Sequence, residues 1–201
     1  MSSFPYKIYC DMDGVLVDFE NGVVEAINKE LKSDNPLFPK AAKKVIVSLG
    51  RDYITTEDIK KYSPGKSKAA ANYMYRLVEG SEEFWANLPW QPGGKRLWAY
   101  IRQFDPDILT APMDKGGKLD SLTGKLRWVE KNLKIDTAKV NFEHEKWKYA
   151  TSEDGNPNIL IDDFEAKTEP WNDAGGIGIL HLGATETIKI LNTIKDTHED
   201  V

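Results

Sequence analysis

The chain has 201 residues, enough for one large domain, or one domain with an insertion, around a sizeable core. Its 27 Lys and Arg against 32 Asp and Glu leave a net charge of −5, which disfavours a general nucleic-acid binder, and 40% hydrophobic residues with 10% aromatics exclude a disordered chain. The single cysteine, Cys10, excludes an internal disulfide and fits a reducing compartment. The first ten residues, MSSFPYKIYC, hold no apolar stretch long enough for a signal peptide. No run approaches the roughly 18–20 apolar residues of a membrane helix. A cytoplasmic globular protein without a membrane partner is expected.

In chain order, KIYC (Lys7–Cys10) reads as a first strand that ends in acids. Over Asp18–Leu31, Phe19, Val23, Val24, Ile27 and Leu31 repeat at helical spacing. Residues 33–88 break the rhythm. SDNPLFPKAAKKV is rich in Pro and Lys, and ITTEDIKKYSPGKSKAAANYMYRLVEG reads as helical, with a helix start at Thr55/Thr56 before Glu57 and Asp58. This span reads as a helical insert. Gln91-Pro92-Gly93-Gly94 is a turn before a helix with Leu97, Ile101 and Phe104 on one face, ended by Asp105-Pro106. DILT (Asp107–Thr110), KVNF (Lys139–Phe142), NILI (Asn158–Ile161) and GIGIL (Gly176–Leu180) are the remaining strands. Leu122, Leu126, Val129 and Leu133 mark a helix between them, and a closing helix follows Ala184. Short apolar runs alternating with helical segments predict an α/β fold with a parallel sheet.

Polar clusters follow three of these strands directly: Asp11-Met12-Asp13-Gly14, Thr110-Ala111-Pro112 and Asp162-Asp163. The ends of parallel strands are where an open α/β sheet holds its ligand. One Asp-x-Asp alone reads as a turn or cap, and a calcium loop of the EF-hand kind fails because Gly14 falls at its fourth position. Carboxylates gathered in one cleft repel unless a cation sits among them, and oxygen ligands of this kind suit Mg²⁺. His144, His181 and His198 are dispersed, which disfavours zinc, and no P-loop or nucleophile-elbow motif occurs.

On these residues the sequence resembles the haloacid dehalogenase (HAD) superfamily. DMDGVLVDF (Asp11–Phe19) is similar to its first motif, ILTAP (Ile108–Pro112) to the second and LIDDF (Leu160–Phe164) to the fourth. Within the superfamily the likeness is to the 5′(3′)-deoxyribonucleotidases and their bacterial and phage relatives. It is carried by DMDGVLVDFE, EFWANLPWQPGG (Glu83–Gly94), GKLRWVEKNL (Gly124–Leu133) and NILIDD. The resemblance implies a Rossmann-like core of parallel strands flanked by helices, over residues 1–32 and 89–201, with residues 33–88 as a helical cap.

The resemblance also implies roles. Asp11 is the nucleophile, forming an aspartyl-phosphate, and Asp13 is the acid and then the base. Asp11, the backbone carbonyl of Asp13, Asp163 and Asp162 hold Mg²⁺. Thr110 and Ala111 bind the phosphoryl oxygens together with a lysine. Lys146 is preferred for that lysine, because an acid precedes it and Ala150 follows one helical turn on, with Lys148 as the alternative. Lys125 aligns with another lysine near the phosphate site. Phe19, Phe84 and Trp85 occupy places where the family stacks aromatic rings on a nucleobase, although all three also fit core packing. Trp90, Trp98, Trp128 and Trp171 read as structural, and Cys10 as a buried strand residue.

The expected activity is Mg²⁺-dependent hydrolysis of a small phosphomonoester, with a nucleoside monophosphate as substrate, hence a 5′-nucleotidase. A sugar-phosphate phosphatase and a non-catalytic metal-binding module of the same fold stand as alternatives, and no nucleic-acid partner is expected.

Overall fold

The computed structural model describes residues 4–61, 68–113 and 119–199. Five short apolar runs form its strands: β1 (Ile8–Cys10), β2 (Asp107–Thr110), β3 (Val140–Phe142), β4 (Ile159–Asp162) and β5 (Ile177–Leu180). All pair in parallel, in the order β3-β2-β1-β4-β5. Strands of a parallel sheet are covered on both faces and so read as continuous hydrophobic runs. Ile8, Cys10, Ile108, Leu109, Ile159, Leu160 and Ile161 accordingly have no exposed surface.

The chain divides into two compact units. The first, residues 1–18, 90–112 and 129–201, contains the sheet. Beside the sheet lie α6 (Gly94–Ile101), α8 (Glu165–Asp173) and α9 (Ala184–Glu199). Gly93, at φ +84°, makes the turn into α6, and a Cβ on Gly94 would come 2.9 Å from the Leu16 carbonyl. Leu97, Trp98 and Ile101 are buried, and a 3₁₀ turn over Arg102–Phe104 ends at Asp105, whose φ of +54° closes it. On α8, Trp171 is fully buried against Leu109, Ala150 and Leu160, and its indole N–H donates to the Asn158 carbonyl at 3.0 Å.

The second unit, residues 19–89 and 113–128, is helical. It holds α1 (Phe19–Leu31), α2 (Pro39–Leu49), α3 (Thr56–Lys61), α4 (Lys68–Glu79), α5 (Glu82–Ala86) and most of α7 (Asp120–Asn132). Helix α1 and residues 113–128 thus group with the insert. Asp58 fastens the start of α3 at the predicted Thr55/Thr56 step, accepting from the Thr55 N–H at 2.8 Å and its hydroxyl at 2.9 Å. Of the predicted face of helix α7, Val129 and Leu133 are buried and Leu122 and Leu126 half-buried, and the buried side extends beyond it to Ser121, Gly124, Lys125 and Trp128. The Trp128 N–H donates to the Leu88 carbonyl at 2.9 Å, and a Cβ on Gly124 would overlap Trp85. No helix among the described residues is long and apolar enough to cross a membrane.

Candidate active site

The strand order makes β1 the centre of the sheet, with β2 and β3 on one side and β4 and β5 on the other. The chain therefore changes direction between β1 and β4, and a crevice opens at the carboxyl ends of strands where the winding reverses. Register fixes what lies there. Cys10 pairs with Ile108 and with Ile161, and the Asp11 N–H continues the ladder to the Ile161 carbonyl at 2.9 Å. Asp11 thus leaves the sheet beside Asp162, and Thr110 ends β2 on the other side, fully buried. Ala111 follows it, half-buried.

Beyond Asp11 the backbone coils tightly. The Met12 carbonyl accepts from the N–H groups of Leu16 and Val17, each at 2.8 Å, and the Gly14 N–H donates to the Val17 carbonyl at 2.9 Å. Gly14 is required twice over: its φ is +76°, and a Cβ there would overlap the Asp163 carboxylate. The one sign of this in the sequence is a Gly directly following Asp-x-Asp.

Lys146 reaches the crevice from a 3₁₀ turn, Lys146–Tyr149, beyond β3. It is 2% exposed, and its ammonium lies 2.9 Å from Asp11 Oδ1 and 2.6 Å from Asp162 Oδ2. Burial works against its charge, but Asp11 and Asp162 together outweigh that and raise its pKa. The other oxygen of Asp162 accepts from the Phe164 N–H at 2.9 Å, so this carboxylate also fixes the chain turning away from β4. Lys148 points elsewhere, 44% exposed and paired with Glu143 at 3.1 Å and Glu145 at 2.7 Å.

Asp11, Asp162 and Asp163 each present a carboxylate oxygen within 4.8 Å of the others. Burial and then the charge of Asp11 push the Asp162 pKa up to about 6 against the pull of Lys146. Asp163 rises to about 7, through desolvation by the surrounding protein and then the charges of Asp11 and Asp162. One lysine does not offset three acids, so the site has room electrostatically for a cation, and its all-oxygen donor set fits Mg²⁺. Asp13, half-buried in the loop, does not contribute its carboxylate to this trio.

The predicted aromatic residues lie together in the second unit. Phe19 and Trp85 stack with centroids 5.4 Å apart and 15° between planes, and Phe84 meets both rings edge-on. Phe19 and Phe84 are half-buried. Trp85 does not offer a ring to a ligand: it is 1% exposed, its N–H donates to the Val78 carbonyl at 2.9 Å, and the Lys125 ammonium lies 5.1 Å from its centroid. It is a core residue, sealed by Phe19 and by the buried Lys125, whose place inside the unit the sequence did not signal.

No protein-family model matches the chain, and no curated protein matches it. Among solved structures, a HAD family hydrolase from Deinococcus radiodurans, bound to phosphate and sodium, aligns at a TM-score of 0.50 and 16% identity, over 90% of this chain and 83% of that one. A hydrolase from Streptococcus pneumoniae aligns at 0.48 and 14%, over 93% and 98%. One from Pseudomonas syringae aligns at 0.47 and 16%, over 94% and 90%. The parallel five-stranded sheet with its flanking helices is the Rossmann-like fold of the HAD hydrolases.

Proposed function

We propose that the chain is a phosphomonoester hydrolase that works through an aspartyl-phosphate, and that its substrate is a nucleoside 5′-monophosphate. The observation that carries this reading is the buried Lys146 ammonium held between Asp11 and Asp162 at the switch point of the sheet. A buried cation beside a would-be nucleophile suits a reaction in which a dianionic phosphoryl group must approach a carboxylate.

In the first step an Asp11 oxygen attacks phosphorus and the ester oxygen leaves, taking a proton from Asp13. Asp13 then accepts a proton from water as that water attacks the aspartyl-phosphate, releasing inorganic phosphate and restoring Asp11. Lys146, the Thr110 hydroxyl and the Ala111 N–H hold the non-bridging oxygens through both steps. Asp11, Asp162, Asp163 and the Asp13 carbonyl are the groups that would hold Mg²⁺, which when bound neutralises charge on the carboxylates and on the phosphoryl group. Phe19 and Phe84 are the rings proposed to stack on the base, a sequence-tolerant contact worth roughly 1–3 kcal/mol per base. The phosphate bound to the HAD family hydrolase from Deinococcus radiodurans supports a phosphorylated substrate.

The test is phosphate release, with Mg²⁺ and with EDTA, across deoxy- and ribonucleoside 5′- and 3′-monophosphates and common sugar phosphates. Mg²⁺-dependent release concentrated on 5′-nucleotides is expected. Release from sugar phosphates alone would keep the chemistry and overturn the substrate, and no release from any of them would overturn both.

A further inference from the structure

Across residues 91–104 the chain carries Lys95, Arg96 and Arg102 and no acid, a local charge of +3 in a chain whose net charge is −5. Lys95, Trp98 and Arg102 recur at spacings of three and four, so α6 and the turn after it present them on one face. The last residues of α7 add Lys131 and Asn132, and together with Trp90 these groups line an open cleft of about 350 Å³ within the first unit. No carboxylate lines it.

The lining is also ordered. The Trp90 N–H donates to Asn132 Oδ1 at 3.3 Å, which fixes the plane of a half-buried indole, and the Lys95 ammonium lies 5.9 Å from the centroid of that ring. Lys95 and Arg102 are exposed. A fixed aromatic face beside three cations matches a ligand that joins a planar ring to a phosphate chain. The volume falls in the range of small-molecule clefts, about 300–1,000 Å³.

We propose that this cleft is a second binding site, which takes a nucleoside diphosphate. Its phosphates meet Lys95, Arg102 and Lys131, with the Arg102 guanidinium suited to a two-pronged contact, and its base lies on Trp90. None of the acid cluster lines the cleft, so the inference stands apart from the catalytic reading.

The experiment is calorimetric titration of ADP into the Asp11→Asn chain in EDTA, where nothing is turned over. Saturable binding is expected that Lys95→Ala/Arg102→Ala weakens at least about tenfold. The two substituted side chains are exposed, and an unchanged melting temperature checks that the double variant is folded. Trp90→Leu is expected to weaken ADP more than inorganic pyrophosphate. In the otherwise native chain the double substitution is expected to leave phosphate release from p-nitrophenyl phosphate unchanged. Absence of ADP binding, or an affinity the double variant leaves intact, overturns the site, and equal effects of Trp90→Leu on the two ligands overturn the stacking.

Discussion

Replacing Lys146 by Met keeps the unbranched stem to one atom short of the ammonium and removes its charge. The ammonium it removes lies 2.9 Å from Asp11 and 2.6 Å from Asp162, in a position only 2% exposed. Breaking a buried ion pair by deleting one partner costs about 3–5 kcal/mol, because the remaining charge stays desolvated. In a chain of this size each kcal/mol moves the melting temperature by about 2–4 °C, so Lys146→Met is expected to melt roughly 6–20 °C lower in EDTA. On the proposed mechanism the same change also removes a cation that holds the phosphoryl group, and losing one such preorganised group lowers kcat by roughly 10²–10³. Lys148→Met is the control: its ammonium is 44% exposed and pairs only with the surface acids Glu143 and Glu145, so stability should move by less than about 1 kcal/mol and kcat should hardly change. Melting curves and steady-state phosphate release on both variants decide the matter. Native-like turnover in Lys146→Met, or a larger loss in Lys148→Met, would refute the reasoning.

Asp11→Asn should abolish turnover while the melting temperature stays at or above that of the native chain, since the change relieves acid crowding; measurable turnover in that variant would remove Asp11 as nucleophile. Gly14→Ala meets a φ of +76° and the Asp163 carboxylate, so it should cost at least about 1–2 kcal/mol and raise the Mg²⁺ concentration for half-maximal activity, which a metal titration would detect. Asp162 and Asp163 have pKa values raised to about 6 and about 7, above their unfolded values near 4, so their contribution favours the folded state at low pH and is lost as pH climbs from about 4 to about 7. Scanning calorimetry should therefore show a Mg²⁺-induced rise in melting temperature that is larger at pH 8 than at pH 5, and an equal rise at both would count against cation binding by these acids. Phe19→Ala should raise KM for nucleotides more than for a small aryl phosphate, and equal effects would remove base stacking.

All five strands and the acids after them were legible because a parallel sheet buries both faces of each strand and leaves polar residues only at its ends. The apolar run NILI ends at Ile161, whereas β4 continues to Asp162, which pairs with Leu180 and whose carbonyl accepts from the His181 N–H. A buried Asp inside a strand is invisible to an apolar pattern. The inner face of helix α7 is only half legible for the same reason: Val129 and Leu133 are buried as their spacing predicts, but the face also carries Ser121, Gly124 and Lys125, none of which a hydrophobic period counts, although the Lys125 stem is buried and its charge lies near the Trp85 ring. Trp85 itself was ambiguous in sequence, since a ring suits a base as well as it suits a core. Its near-complete burial and its hydrogen bond to the Val78 carbonyl, seven residues earlier, commit it to the core.

The choice between Lys146 and Lys148 depends on a pitch that no periodicity in the sequence displays. A 3₁₀ turn has three residues per revolution, so Lys146 and Tyr149 share a side while Trp147 and Lys148 fall on others. Tyr149 packs edge-on against Tyr9 at 5.5 Å, and Ala150 is buried beside it. These contacts anchor the turn with Lys146 inward, and the exposure of Trp147 and Lys148, 44% each, follows from the same geometry. An ammonium turned inward is tolerable only where carboxylates already wait, and the ends of β1 and β4 supply Asp11 and Asp162 at that point. The buried lysine and the crowded acids therefore explain each other: either would be too costly alone, and their coexistence at the sheet's switch point ties the stability of this region to its chemistry.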